Sequence, residues 1–271
     1  MVLLGYNSNG FTSHRLEEAI EWLGHLGYRA VAITPDVGHL DPMFTGSEAL
    51  RVYGKLAQAV GLQVVIETGA RYVLDPRRKH RPNLLEPDAS AQRRIDFLRQ
   101  MVQWCEPLGA QLVSLWSGAV PEGSSSEEAW PRLVDRLGGL LDFAQAEGVR
   151  LALEPEPGHL VATVADWRRL HAQLGDRLGM SLDVGHLLVA EEGAIEDVAG
   201  PVRDSVWNVQ LDDMRRGDHT HLVPGEGEVD WPAVQRFLAS LPAATPACFE
   251  LSRDSHRFHE LAPRLISEFD F

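Results

Sequence analysis

The sequence "VRLALEPEPGHLVAT", residues 149–163, joins two patterns that need different surroundings. It opens with an apolar run that ends at Leu153, and it continues with Glu154 and Glu156 set between prolines. A short apolar run bounded by prolines is typical of a buried strand. Two carboxylates directly after such a strand need a partner, because burial and mutual repulsion both disfavour their charge.

Apolar runs recur along the chain, and each is followed by an amphipathic segment, so strand and helix signals alternate. Eight strands alternating with eight helices in 271 residues are typical of a (β/α)8 TIM barrel, which needs about 250 residues. We therefore predict an α/β protein with a single barrel domain spanning residues 1–271. The strands are expected at residues 2–6, 30–34, 63–67, 111–116, 150–154, 179–183, 206–211 and 246–251.

Helix signals support these boundaries. Segments 90–106 and 127–147 place apolar residues on one face at steps of three and four. Ser125 and Thr163 are each followed three residues later by an acidic residue, which is the spacing of a capping box. An open doubly wound sheet is the alternative fold, but no GxGxxG sequence follows the first strand and no change of composition indicates a second domain.

Composition and charge exclude several classes of protein. The formal net charge is -14, whereas a general nucleic-acid-binding protein needs a basic face. The N-terminus does not resemble a signal peptide, and no apolar segment approaches the roughly 20 residues of a membrane helix. We therefore expect a cytoplasmic protein that binds neither nucleic acid nor membrane. Cys105 and Cys248 are expected to be buried thiols, because neither lies in a CxxC motif.

Four successive strands end on oxygen ligands. The carboxyl ends of barrel strands form the reactive face of this fold, so these side chains should converge there. Three carboxylates and an amide form a hard site for one divalent cation, with Mn²⁺ or Mg²⁺ favoured over Zn²⁺ or Co²⁺. The four residues, on the fifth to the eighth strand, are Glu154, Asp183, Gln210 and Glu250.

Several motifs resemble the xylose-isomerase-like superfamily of sugar isomerases and epimerases. In chain order they are "LALEPEPGH", "SLDVGH", "VQLDD", "HTHLVPGEGEVDW" and "CFEL". The superfamily includes the tagatose 3-epimerases, hydroxypyruvate isomerase, inosose dehydratase and, more distantly, endonuclease IV. The resemblance covers almost the whole chain and implies the same four metal ligands. The chain departs from many members at Gln210, where they have histidine, and is similar there to hydroxypyruvate isomerases.

The resemblance implies a divalent-metal-dependent isomerase or epimerase of a small sugar, sugar phosphate or related hydroxy-keto compound. The family's proton-transferring glutamates match Glu154 and Glu250, and its substrate-contacting histidine matches His186. The reaction would pass through an enediolate that the cation stabilises. Three alternatives stay open: a lyase of the inosose- or dehydroshikimate-dehydratase type, an endonuclease IV-like phosphodiesterase, and a binding protein without catalysis.

Further substrate contacts are expected near the strand ends. The long irregular stretch at 69–88 carries a basic run from Arg77 to Arg81, which is either solvated surface or a lid that grips an anionic substrate. Relatives are often dimers or tetramers, so a homo-oligomer is also open. The candidate contacts, besides His186, are Glu156, His221, Arg71, Trp116 and His39.

Overall fold

The structure, a computed structural model, describes residues 1–269. Eight parallel strands close into a barrel, and a two-stranded antiparallel hairpin stands apart from it. The ten strands are β1 (Leu3–Asn7), β2 (Ala30–Ile33), β3 (Gln63–Glu67), β4 (Leu112–Trp116), β5 (Arg150–Glu154), β6 (Leu178–Asp183), β7 (Val206–Leu211), β8 (Asp213–Arg215), β9 (Asp218–Leu222) and β10 (Pro246–Phe249). Around the barrel the order is β1-β10-β7-β6-β5-β4-β3-β2, which confirms the predicted TIM barrel.

Helices connect the barrel strands and pack against their outer faces. Both predicted capping boxes form, at Ser125 and at Thr163. Within residues 1–269, no helix combines the length and the apolarity that crossing a membrane requires. The helices are α1 (Leu16–Leu26), α2 (Ser47–Ala59), α3 (Asp88–Leu108), α4 (Ser126–Ala146), α5 (Val164–Leu174), α6 (Val184–Ala190), α7 (Ile195–Val198), α8 (Trp231–Ser240) and α9 (Phe258–Glu268).

The inside of the barrel is lined by small side chains. Ala30, Ala32, Ala152 and Cys248 belong to an apolar cluster separate from the main core. Gly5 packs against this cluster, where a Cβ atom would lie 2.5 Å from Sγ of Cys248 and 2.7 Å from the backbone oxygen of Ala30. The barrel interior therefore has no room for a larger residue at this level.

The strand faces that line the barrel also carry acidic residues at their carboxyl ends. Successive side chains of a strand point to opposite faces, so Glu154 shares the inward face of β5 with Ala152. Glu67 ends β3 on its inward face, and Glu250 keeps the alternation of Cys248 one residue after β10. The acidic side chains therefore lie above the small apolar cluster, at the reactive end of the barrel.

Several predicted boundaries differ from the structure. The last barrel strand ends at Phe249 rather than at residue 251, so Glu250 begins a loop. Two short helices, α6 and α7, replace the single helix expected after the sixth strand. The sequence does not predict the hairpin β8–β9, because its short polar strands lack an apolar run.

Candidate functional site

A pocket of about 1000 Å³, measured with its open mouth, lies at the carboxyl end of the barrel. Side chains from the ends of β3, β4, β5 and β7 and from the loop after β10 form its walls and floor. The floor is acidic, with the glutamates Glu67, Glu154, Glu156 and Glu250.

His186 bridges Glu154 and Asp183 on one side of the floor. Its Nδ1 atom lies 3.1 Å from Oε1 of Glu154, and its Nε2 atom lies 4.0 Å from Oδ2 of Asp183. All three side chains are buried. Asp183 also caps α6 by accepting a 2.9 Å hydrogen bond from the backbone N–H of His186. The turn from strand to helix thus fixes the spacing of the three groups.

Glu154, Asp183 and His186 shift one another's pKa values, because they are buried together. Burial raises the pKa of Glu154 to about 8, although His186 acts in the opposite direction. Burial disfavours the charged form of His186, but Asp183 and Glu154 outweigh it and hold the pKa of this histidine well above its usual value. Burial likewise opposes the charge of Asp183, yet His186 and His221 leave its pKa below the usual value. At neutral pH the metal-free site therefore retains a proton on Glu154.

Gln210 and Glu250 form the other side of the floor. Nε2 of Gln210 donates to Oε2 of Glu250 at 2.5 Å, and Nδ2 of Asn9 donates to Oε1 of the same carboxylate at 2.8 Å. The hydroxyl of Ser181 donates to Oε1 of Gln210 over a long 3.4 Å. The two ends of an amide are assigned from their partners, so a rotated Gln210 amide would present its oxygen to the floor instead.

Glu67 belongs to the same floor, between these two sides. One of its oxygens accepts a hydrogen bond from Asn7, while Oε1 has no partner among residues 1–269. Burial and the neighbouring carboxylates Glu250 and Glu154 raise the pKa of Glu67 well above its usual value. A positive charge in the floor would remove this repulsion.

The floor fits a divalent cation. Ligand atoms of Glu154, Asp183 and His186 lie within 4.8 Å of one another, and a second such group joins Asp183 with His221 and Glu250. Oδ2 of Asp183 is buried and lacks a hydrogen-bond donor in the described part of the chain. Buried carboxylates without a cationic partner are costly, and oxygen-rich sets of this kind bind hard cations. The carboxylates in these two groups are Glu154, Asp183 and Glu250.

A histidine cluster from the hairpin covers one side of the floor. Nε2 of His219 lies 2.8 Å from Nε2 of His186, and Nδ1 of His221 lies 2.5 Å from Oδ2 of Asp212. Burial opposes a charge on His221, but the hydrogen bond with Asp212 raises its pKa to about 9. Burial and the nearby His186 lower the pKa of His219 to about 4. The cluster therefore combines a protonated and a neutral imidazole at the pocket wall.

Asp213, next to this cluster, has a structural role. Its Oδ1 atom accepts a 3.0 Å hydrogen bond from the backbone N–H of Val229. Its Oδ2 atom accepts from the backbone N–H of Gly225 at 2.8 Å and from Nε1 of Trp231 at 3.1 Å. The motif "PGEGEVDW" is thus wrapped around one buried carboxylate, which explains its position beside the hairpin.

Trp116 forms the opposite wall between two histidines and a buried cation. Its ring centroid lies 5.3 Å from that of His80 and 5.1 Å from that of His159. The guanidinium of Arg94 lies 4.1 Å from the centroid of Trp116, within the range of a cation–π interaction. Oε2 of Glu156 lies 3.3 Å from Nδ1 of His159. The wall therefore consists of planar groups that contact one another at tilted angles.

His39 is the predicted contact that the structure places elsewhere. The other predicted substrate contacts line the pocket: His186, Glu156, His221, Arg71 and Trp116. Backbone hydrogen bonds pair His39 with Asp36 and turn the loop after β2. Nε2 of His39 then meets the backbone oxygen of His14 at 2.8 Å, and its ring packs against Phe11. His39 therefore does not line this pocket, and a substrate contact from it stays a prediction.

Solved structures with the same fold are similar to this chain at low sequence identity. The IOLI protein, crystallised with a zinc atom, is 20% identical, with 99% of this chain and 95% of that chain covered and a TM-score of 0.79. A D-allulose 3-epimerase from Methylomonas sp., in complex with D-allulose, is 16% identical, with coverage of 99% and 96% and a TM-score of 0.77. An AP endonuclease, family 2, from Brucella melitensis is 15% identical, with coverage of 97% and 99% and a TM-score of 0.73.

This chain is also similar in sequence to one further protein and to one protein family. The uncharacterized protein y4fM of Sinorhizobium fredii (strain NBRC 101917 / NGR234) is 25% identical over 193 residues, which are 66% of this chain. The match spans 62% of that relative, less than two thirds of its length. The family described as xylose isomerase-like TIM barrel matches residues 20–268. The chain therefore belongs to the xylose isomerase-like TIM barrel family.

Proposed function

We propose that this protein is a divalent-metal-dependent isomerase or epimerase of a small sugar or a related hydroxy-keto compound. One observation carries the proposal. Glu154, Asp183, Gln210 and Glu250 come from consecutive positions around the barrel, β5, β6, β7 and the loop after β10. Glu154, Gln210 and Glu250 line one pocket, and ligand atoms of Asp183 lie within 4.8 Å of those of Glu154 in one group and of Glu250 in another. Without a cation, that floor would bury like charges at a considerable cost.

The two outer glutamates are suited to proton transfer. Glu154 and Glu250 stand on either side of Asp183 and Gln210 in the barrel order. One carboxylate would take the proton from the carbon next to the substrate carbonyl, and the other would return a proton. Return to the neighbouring carbon gives isomerisation, and return to the same carbon from the other face gives epimerisation. A positioned base of this kind contributes roughly 10²–10⁴-fold to a rate.

Neighbouring side chains contact both glutamates. Nδ1 of His186 lies 3.1 Å from the Glu154 carboxyl, and Asn9 donates a hydrogen bond of 2.8 Å to Oε1 of Glu250. A bound cation would supply the positive charge that stabilises negative charge developing on the substrate oxygens. The oxygen-rich donor set favours Mn²⁺ or Mg²⁺. The neighbours crystallised with zinc and with D-allulose support a metal and a sugar in this fold.

A lyase on the same site is the second candidate, favoured by the pair of His221 and Asp212. Dehydration needs an acid that protonates the departing hydroxyl. His221 lines the pocket, and its Nδ1 atom lies 2.5 Å from the buried Asp212 carboxylate, which stabilises the imidazolium form. A product that lacks one water, identified by mass spectrometry, would select the lyase over the isomerase.

The first test measures metal content and proton exchange together. We expect one divalent ion per chain in the wild type and much weaker binding in Glu250→Gln and Asp183→Asn. Glu192→Gln, at an exposed position, is the matched control and should bind like the wild type. Sugars incubated with the loaded enzyme in D₂O should gain deuterium at the carbon next to the carbonyl. Absence of divalent metal binding in the wild type would contradict the proposal.

A further inference from the structure

The pocket has two regions of opposite charge. Its floor carries the carboxylates described above, whereas Arg71, Lys79 and Arg253 line it from the loops. Arg71 and Lys79 belong to the loop after β3, and Arg253 belongs to the loop after β10. Since β1 and β2 separate these two strands in the barrel, the three cations approach the pocket from different directions.

These three cations are not neutralised by the protein. Arg71, Lys79 and Arg253 form no ion pair within 4.0 Å among residues 1–269. In the same loop after β3, two other arginines are paired: Arg78 with Asp75 at 2.8 Å and Arg81 with Glu86 at 2.7 Å. Arg78 and Arg81 are thus paired with carboxylates of the same segment, whereas Arg71 and Lys79 line the pocket without an ion pair among residues 1–269. In a chain of net charge -14, such a basic region attracts small anions.

The backbone holds the two loop cations together. The N–H of His80 donates to the backbone oxygen of Arg71 at 2.7 Å, which closes the segment between them. His80 adopts a left-handed conformation with φ of 61° and places its ring against Trp116. A non-glycine residue in this region is strained and is held there by its surroundings. The arrangement of Arg71 and Lys79 is therefore built into the loop.

A buried arginine adds to the positive potential. Arg94 lies behind Trp116, fully buried, and its Nε and Nη1 atoms have no partner among residues 1–269. Burial lowers the pKa of Arg94 to about 9, so it is still charged at neutral pH. Burial, Lys79, Arg94 and Arg71 together lower the pKa of His80 to about 3. Glu156 opposes part of the charge of Arg94, while Arg71 and Lys79 add further positive charge on this side of the pocket.

We infer that the substrate carries a phosphate or carboxylate group at the end opposite its hydroxy-keto group, and that Arg71, Lys79 and Arg253 bind this anion. The inference rests on the proposed function, since the acidic floor then takes the reacting end. Charge-assisted hydrogen bonds from guanidinium groups suit both anions. The same geometry would orient the substrate and disfavour neutral sugars.

The test uses polyols that cannot react. They lack the aldehyde or ketone group that the proposed reaction needs next to the carbon that loses its proton. Ribitol, ribitol 5-phosphate and ribonate are titrated by calorimetry into metal-free and Mn²⁺-loaded full-length protein. We expect at least one charged polyol to bind about tenfold or more tightly than ribitol. This preference should disappear in the double variant Arg71→Gln, Arg253→Gln. It should persist in Arg77→Gln, an exposed arginine of the same loop that does not line the pocket.

The outcomes separate this inference from the proposed function. Tighter binding of the phosphate assigns a phosphorylated substrate, and tighter binding of ribonate assigns a sugar acid. Equal affinities for all three polyols, no measurable binding of the charged ones, or a preference unchanged in the double variant would overturn the inference. Metal binding and deuterium exchange on neutral sugars would then still support the proposed function. Conversely, a charged-polyol preference that is lost in the double variant, without metal binding in the wild type, would contradict the proposed function and leave only the binding of an anion by Arg71 and Arg253.

Discussion

The affinity of the site for Mn²⁺ should depend steeply on pH below 8. In the metal-free protein, burial raises the pKa of the Glu154 carboxyl to about 8. Below that pH the carboxyl carries a proton, which must leave before the oxygen can bind a cation. Each pH unit below 8 therefore weakens binding about tenfold, or about 1.4 kcal/mol. Between pH 8 and pH 6 we expect a loss of about 100-fold, or about 2.7 kcal/mol.

Calorimetry on chelator-stripped protein measures this effect directly. Titrations in two buffers with different ionisation heats count the protons released with each bound ion. The slope of log affinity against pH should be about one below pH 8 and should fall towards zero above it, so that the plot bends near pH 8. In His186→Gln the slope below the bend should stay near one, because the released proton comes from Glu154. The bend should move above pH 8, because His186 lowers the pKa of Glu154.

A flat affinity between pH 6 and pH 8, without proton release, would refute this reasoning. It would mean that Glu154 is ionised in the metal-free protein, and therefore that its burial is compensated by another group. Glu192→Gln serves as the control, since an exposed carboxylate far from the pocket should leave both slope and bend unchanged.

Three further predictions concern stability, each measured by thermal or urea unfolding of metal-free protein. Glu67→Gln should raise the melting temperature at pH 8 but not near pH 4.5. The folded-state pKa of Glu67 lies above its unfolded value of 4.5, so the ionised carboxylate present at pH 8 destabilises the folded protein. An equal effect of the substitution at both pH values would contradict this. Asp213→Ala should cost about 3 kcal/mol, because it leaves the indole N–H of Trp231 and several backbone N–H groups unpaired; a cost below about 1 kcal/mol would exclude this structural role. Gly118→Ala should cost about 2 kcal/mol, because φ is +91° and the new Cβ would lie 2.4 Å from the Asn83 side chain; unchanged stability would show that Asn83 moves without cost.

The sequence predicts those site residues that directly follow or end an apolar run. Glu154 and Asp183 each end an apolar run, and the barrel brings neighbouring strand ends together, so their convergence follows from strand order alone. Glu67 has the same local signal at the end of β3 and could have been included on that ground. The matching signal for Glu250 is displaced by one residue, since β10 ends at Phe249.

Other features depend on contacts between distant segments. Arg253 reaches the pocket from a loop without an apolar pattern, and its distance from Arg71 along the chain hides their common location. His39 has the composition of a pocket residue, but a backbone turn directs its ring to Phe11. The hairpin that carries His219 pairs short polar strands, and its position depends on α6 and the carboxylate beside it. Local sequence patterns do not specify such contacts.

The pocket carries carboxylates in its floor and cations on its loops. Buried or confined charge is costly unless an opposite charge meets it, and this pocket contains both signs without pairing them to each other. The buried charge is that of the floor carboxylates, including the partnerless Oε1 atom of Glu67, whereas the half-buried Arg71 and the exposed Arg253 line the pocket nearer the solvent, without an ion pair among residues 1–269. A structural role for either set would favour direct ion pairs between them. Their separation instead suits two ligands of opposite charge, a cation in the floor and an anionic group near the loops. A substrate that spans both regions is then held at each end, and its reacting carbons lie near Glu154 and Glu250.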